Sequence, residues 1–266
     1  MRDDNLVNVP APPPTETAEI DAKSGRALAL IVAFGAVFLF LFSQFLFGLV
    51  AVIIAAVGVA GGGISQEGLM EVLKDPSVIA LPTIWSVLIS NIFVFGILWL
   101  YLRRGDRLER LGWNRWSAVS WWKTIAIAGL CIAASLGFNI IYTEYIFPDL
   151  DMQRAMRELF AAIPKTAGNQ ILLFATVAVV APVVEEVLFR GMLQTSFAAY
   201  MPPWAAILLS AAIFGFIHFQ PEAIGALMAL GIAFGAIYHF TKSLRVTILL
   251  HVLNNSAALL LTPPAT

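Results

Sequence analysis

Charge is the scarcest property of this sequence. Only 12% of its 266 residues are Asp, Glu, Lys or Arg, where a soluble domain carries about 25%. Of the whole, 59% is hydrophobic and the mean hydropathy is +0.84. That composition excludes an ordinary soluble globule and reads as an integral membrane protein. The formal net charge is −1, so no basic excess points to nucleic acid. A single cysteine, Cys131, excludes an intrachain disulfide framework and a cysteine-based metal site. It lies in an apolar run and reads as a small residue facing lipid or a neighbouring helix. The amino terminus lacks the basic start and early apolar core of a secretory signal. Residues 1–25 hold Asp3, Asp4, Pro10, Pro12, Pro13, Pro14, Glu16, Glu19 and Asp21 instead, and are expected to form a disordered cytoplasmic tail.

What is present is a series of apolar runs. A spanning helix needs about 20 residues. The run from Ala27 to about Ala60 is longer and reads as one tilted helix that projects beyond the bilayer, broken by Gly61, Gly62 and Gly63. A polar segment with Glu67, Glu71, Lys74 and Asp75 follows. Further spans are expected from about Leu81 to Leu102, Lys123 to Ile146 and Gln170 to Tyr200. Three compact spans close the chain: Trp204 to His218, Ala223 to Phe240 and Val246 to Leu261. The fold predicted is all-α, a polytopic transmembrane helical bundle of about seven or eight spans, the eighth hidden in the long first run if it exists.

The loops set orientation. Arg103, Arg104, Arg107, Arg110 and Arg115 share a loop with Trp113, Trp116, Trp121 and Trp122, and Lys242 and Arg245 mark another. Cations with tryptophans characterise a cytoplasmic interface. A cytoplasmic amino terminus puts the loops at 103–115, 201–203 and 242–245 on the cytoplasmic side, and a bacterial inner membrane is expected. Between Pro148 and Gly168, apolar Met152, Met156, Leu159 and Phe160 recur at helical spacing. This predicts a short amphipathic helix over Asp151–Ala162 on the membrane surface, in a loop placed to cover a cavity. Gly231 and Gly235 form a small-xxx-small pair that allows close helix approach.

Three ionisable residues interrupt the run from Gln170 to Tyr200: Glu185, Glu186 and Arg190. Ionisable side chains at membrane depth are costly and mark functional sites. Glu186 and Arg190 are one helical turn apart and are expected to pair; adjacent Glu185 points about 100° away. A structural Glu–Arg clamp would explain one glutamate but leaves Glu185 without a role. An unpaired carboxylate in apolar surroundings can act as a base near neutral pH. Pro182, just ahead, is expected to free the carbonyl of Ala178 and bend or break the helix. Phe214 and His218 lie four apart at the end of the next span, and His251 and Asn255 four apart early in the last. Asn254 is a weaker neighbour, and His239 reads as interfacial. Each histidine alone reads equally as a packing or interfacial residue. Together they can partner the carboxylate around one wet cavity: a glutamate and a histidine to hold a water, a second histidine and an amide as oxyanion donors.

The ordered set Glu185–Glu186–xxx–Arg190, Phe214–xxx–His218 and His251–xxx–Asn255 resembles the three-motif signature of the CPBP family. These are the CAAX prenyl-protein processing type II proteases and the bacteriocin-processing or self-immunity proteins. The resemblance covers about Gln170 to Leu261; Arg110–Leu111–Gly112–Trp113 ahead of a span is a junction the family often shows. It implies a bundle of the CAAX-protease type, with N-terminal helices and loops over 26–169 and a catalytic core over 170–262. It further implies an intramembrane endopeptidase in which Glu185 activates water and His218 assists. His251 and Asn255 would stabilise the oxyanion, with Glu186, Arg190 and Phe214 in support. The family has also been described as metal-dependent, which would make Glu185, His218 and His251 ligands of a zinc. No His-Glu-x-x-His helix is present and the spacing does not favour metal, so no cofactor is expected. The expected partners are a peptide or protein substrate and membrane lipid. The alternative from another class is a non-proteolytic scaffold or self-immunity protein that binds a peptide or partner in the same cavity. A transporter fits less well, since the polar residues crowd the last third and no inverted repeat is evident.

One geometric demand follows. With upright helices, His218 and His251 differ in depth by roughly 10 Å, and a separation beyond about 12 Å without a shared cavity would exclude a common site.

Overall fold

A computed structural model of the protein describes residues 16–59, 66, 69–70, 75–148 and 154–261. Within them all regular structure is helical. Helix α1 spans Glu16–Val59 without interruption. Residues 16–25, read from the sequence as tail, therefore form its first turns, while residues 1–15 lie outside the described residues. So do Gly61, Gly62, Gly63, Glu67, Glu71 and Lys74. At 44 residues α1 is about 66 Å long, far more than the ~30 Å hydrocarbon layer, so one helix accounts for the whole first run.

Helix α2 spans Pro76–Leu102 and starts five residues before the expected Leu81, because Asp75 caps it. The Asp75 carboxylate accepts from the Ser77 N–H (2.8 Å) and hydroxyl (2.7 Å), and Pro76 fits the first turn, where no N–H is needed. Helices α1 and α2 run antiparallel. Ala55 and Ala56 pack with Val78 and Ile79 at one end, and Ser43 and Ser90 share a 2.9 Å hydroxyl contact mid-span. Helix α3 spans Trp121–Ile141 and continues as a π-helical turn, Tyr142–Ile146. The amphipathic segment appears as α4, Arg154–Ala161; Asp151 and Met152 lie outside the described residues. Leu159 and Phe160 of α4 pack on Ala80 and Ile84 of α2 and on Leu173 of the next helix.

Helix α5, Ala167–Phe197, is the most enclosed long helix. Helix α6, Pro203–Phe216, is short; α7, Ile224–Thr241, and α8, Leu244–Leu261, complete the bundle. Among the described residues, six helices are long and apolar enough to cross a membrane: α1, α2, α3, α5, α7 and α8. The seventh apolar helix, α6, has 14 residues and reaches about 21 Å, so it ends inside the bundle.

Backbone and side-chain bonds gather the basic loops at one end. The Ala118 N–H donates to the Thr241 carbonyl (2.6 Å), the Ser243 hydroxyl to the Arg115 carbonyl (2.7 Å) and the Tyr238 hydroxyl to the Leu111 carbonyl (3.3 Å). The Ser196 hydroxyl donates to the Ala29 carbonyl (3.3 Å), bringing the start of α1 to the same end. Gly112 sits here at φ +69°, and a Cβ on it would collide with the Lys242 carbonyl. The Arg110–Trp113 junction is thus a docking point between the α2–α3 loop and the α7–α8 turn, which only glycine can fit.

Candidate active site

The site is built on α5, whose hydrogen-bond register changes twice. Residues Ala175–Val180 are π-helical, Ala181–Glu186 α-helical and Val187–Gln194 π-helical again. Pro182 does not break the helix. In the π register the Ala181 N–H bonds back five residues to the Thr176 carbonyl. The next bond would run from residue 182 to Val177, and proline has no N–H to make it. The orphaned acceptor is therefore the Val177 carbonyl, not that of Ala178 as an α register predicts. Asn255 of α8 fills the gap, its Nδ2 donating to the Val177 oxygen at 3.1 Å. Asn254 in turn donates from its Nδ2 to Asn255 Oδ1 at 3.2 Å. An amide on the last helix thus repairs the ladder two turns before Glu185.

The two adjacent carboxylates are separated by burial. The Glu186 side chain is 0% exposed and the Glu185 side chain 13% exposed. Glu186 Oε1 lies 3.0 Å from Arg190 Nη1, one turn on. This is an ion pair without good hydrogen-bond alignment, and Glu186 Oε2 has no hydrogen-bond partner among the described residues. The same Oε1 lies 2.8 Å from His251 Nδ1. His251 Nε2 in turn faces Glu185 Oε2 at 3.7 Å. One buried imidazole thus stands between both carboxylates. Glu185, expected to be unpaired, has His251 as its nearest ionisable neighbour, and Glu186 is shared between Arg190 and His251.

Arg190 is held on every side. Its Nη2 donates to the Gly231 carbonyl at 3.3 Å, and its guanidinium lies 4.9 Å from the Phe214 ring centroid and 5.4 Å from that of Phe234. One turn later the Gln194 Nε2 donates to the Gly235 carbonyl at 3.0 Å. Arg190 and Gln194 on α5 thus read Gly231 and Gly235 on α7 in register. A Cβ at Gly235 would stand 2.8 Å from Gln194 Oε1, and one at Gly231 3.0 Å from the Ala211 Cβ. The glycine pair serves side-chain-to-backbone bonding across helices as well as close packing. Gln194 was not singled out from the sequence; its spacing of four from Arg190, matching the glycine spacing, is the signal.

His218 sits in the turn beyond α6, followed by Phe219 in a left-handed conformation (φ 51°) that is uncommon for a bulky residue and often marks a functional constraint. Its Nδ1 lies 2.6 Å from the Phe214 carbonyl, so Nδ1–H donates there and Nε2 is left as an acceptor. The Phe214 ring meets the His218 ring at 4.7 Å and the His251 ring at 6.2 Å between centroids. Those two separations bound the distance between the imidazoles at under about 11 Å, inside the limit for a common site. Phe214 is the spacer between them, and the short α6 ends two residues before His218. His239 lies one turn from the α7 end, 3.3 Å from Lys242 Nζ and remote from these groups.

Among the described residues, no three His, Cys, Asp or Glu side chains converge closely enough to hold a metal ion. His251 Nδ1 faces Glu186 and its Nε2 faces Glu185, while the Phe214 ring contacts both histidines.

Residues 167–257 match the family described as "Type II CAAX prenyl endopeptidase Rce1-like". A relative in Bacillus subtilis (strain 168), named "Putative membrane peptidase YdiL", is 26% identical over 210 residues, which are 75% of this chain and 76% of that one. No solved structure matches. The matched segment begins at the first residue of α5 and includes every side chain of the Glu186–Arg190–His251 cluster. On these residues and these matches, the stretch 167–257 is similar to the helical core of Rce1-like type II CAAX prenyl endopeptidases.

Proposed function

We propose that the protein is an intramembrane endopeptidase that hydrolyses peptide bonds with a glutamate-activated water. It would lie in a bacterial cytoplasmic membrane with its amino terminus and basic loops on the cytoplasmic side. The observation that carries this reading is the division between two neighbouring carboxylates that share one histidine. Glu186 is sealed and paired; Glu185 retains access to the site. Glu185 is then the base that takes a proton from the attacking water. His218, with Nε2 free to accept, steadies that water. His251, held by Glu186 through Nδ1, presents Nε2 toward the reacting groups and donates to the oxyanion when protonated there. Asn255 keeps one amide hydrogen beyond its bond to Val177, and that hydrogen is the second oxyanion donor. An oxyanion-hole donor is worth about 10²–10³ in rate. No metal enters this scheme.

The deciding experiment is cleavage of a mixed peptide library by the purified protein, beside Glu185→Gln, with and without chelator. Cleavage lost in the variant and kept with chelator supports the scheme. Loss with chelator, restored by zinc, would turn the same residues into ligands. A non-proteolytic scaffold or self-immunity protein is the second reading. It is favoured by Asn255 and His218 both spending hydrogen bonds on backbone carbonyls. Under it, Glu185→Gln would leave biological function intact in a folded, abundant protein.

A further inference from the structure

A cavity of about 180 Å³ lies between α3, α7 and α8. Ser135 and Asn139 of α3, Ala226 and Leu230 of α7 and Asn254 of α8 line it. Ser135 is 14 residues into α3 and Asn254 ten residues into α8, counted from the basic end. At 1.5 Å per residue both lie about 15–21 Å from that end, near the middle of a ~30 Å hydrocarbon layer. At that depth three uncharged polar side chains converge, and two of them carry a buried oxygen without a hydrogen bond among the described residues. Ser135 is 5% exposed, and among the described residues neither its Oγ nor the buried Asn139 Oδ1 has a hydrogen-bond partner. Unpaired polar atoms in hydrocarbon are costly, and lipid cannot satisfy them. Cavities that stay empty are apolar, whereas a polar cavity with room for one probe sphere holds water. At about 30 Å³ per molecule this one has space for several waters.

The cavity is joined to the site by hydrogen bonds. Asn254 donates to Asn255, which donates to the Val177 carbonyl on the helix that carries Glu185. We propose that this slot is an intramembrane water pocket, and that it replenishes the water consumed at Glu185. The second half rests on the protease reading; the first does not. Each turnover of hydrolysis consumes one water, breaking it into the hydroxyl of the new carboxyl group and a hydrogen on the new amine. A site walled by lipid and protein needs a local source of that water.

The test uses the full chain in liposomes, with Cys131→Ala to remove the native thiol. Single cysteines are placed at Ser135→Cys and Asn254→Cys in the pocket and at Leu130→Cys, which is 73% exposed on the outer face of α3. Silver ion, small and confined to water, is applied to the folded protein, and protected thiols are counted by mass after unfolding. The two pocket thiols are expected to be protected and the Leu130→Cys thiol not. Pocket thiols that stay unprotected in folded protein, yet react with silver after unfolding in detergent, would overturn the water pocket. The pocket is then filled with Ser135→Leu or, independently, Ala226→Leu. Filling should abolish protection at Asn254→Cys and lower peptide hydrolysis about tenfold, at unchanged thermal stability. Protection lost with hydrolysis at the parental rate would overturn the supply role alone. A parent that cleaves no peptide removes the protease reading, while the silver result still decides the pocket.

Discussion

The N-terminal helices and the C-terminal core solve the same problem with different chemistry. In α1 to α3 the buried polar residues are Ser43, Ser86, Ser90, Asn91 and Ser135, all uncharged. Ser86 and Asn91 bond back to their own helix, and Ser43 meets Ser90. In α5 to α8 the buried set includes Glu186, Arg190, Gln194 and His251, and these bond between helices. Hydroxyl and amide contacts are inexpensive glue in a membrane, worth ~0.6 kcal/mol on average. A buried carboxylate and guanidinium bring a desolvation cost of several kcal/mol each. A bundle that only had to stay folded could use the first kind throughout. The core uses the second, and the family match falls on that core. The difference separates a frame joined by neutral contacts from a core joined by buried charge.

Substitutions can break or sharpen this contrast. The largest effect is expected at Glu185→Gln, which should lower peptide hydrolysis by about 10²–10⁴ while leaving the unfolding midpoint unchanged. Steady-state cleavage beside thermal unfolding measures both, and an active variant would collapse the functional half of the contrast. Arg190→Met comes next. It strands Glu186 in the core and should destabilise the fold by about 3–5 kcal/mol, read by reversible unfolding in mixed micelles. The double variant Glu186→Gln with Arg190→Met should regain most of that loss; equal losses would mean that Arg190 acts through packing alone. Asn255→Ala leaves the Val177 carbonyl without its donor, and a loss of about 1–3 kcal/mol is expected alongside reduced cleavage. Unchanged stability would make Asn255 a purely catalytic donor. In the frame, Ser90→Ala should cost less than about 1 kcal/mol and spare cleavage; a large loss there would erase the distinction between the regions.

The smallest expected effect lies outside the bilayer, at Asp75→Ala. Hydrogen bonds from the Ser77 hydroxyl and N–H hold the Asp75 carboxyl below its ordinary value. A lowered folded value means that the cap's contribution is present above the ordinary carboxylate range and fades as pH falls through the lowered one. Acid titration of stability should therefore flatten slightly in Asp75→Ala, and an identical titration would show that the cap contributes nothing.

Much of this was legible in the residues. Lack of charge and the lengths of the apolar runs predict the long helices, because a bilayer leaves the backbone few other ways to pair its polar groups. The four-residue step from Glu186 to Arg190 places both on one face of α5. Three features were not legible. The first 15 residues read as tail lie outside the described residues, but the helix that follows begins at Glu16, where weak local propensity is overridden by the long helix it extends. The π register of α5 moved the orphaned carbonyl from Ala178 to Val177, since a proline marks a missing donor but not which acceptor loses it. Gln194 carries no signal within its own helix, since its partner Gly235 lies on another.

Composition and spacing by themselves determined that this chain is a helical membrane protein whose charges within apolar runs fall in the last third. They did so because hydrocarbon penalises every charge that lacks a purpose, so the few that persist stand out. Only the tertiary structure decided the partners. Burial splits Glu185 from Glu186, His251 stands between them, and Phe214 spaces the histidines. Asn255 closes the gap left by Pro182. Such assignments depend on which helix faces which, at distances of a few ångströms, and one helix's periodicity carries no information about its neighbour's.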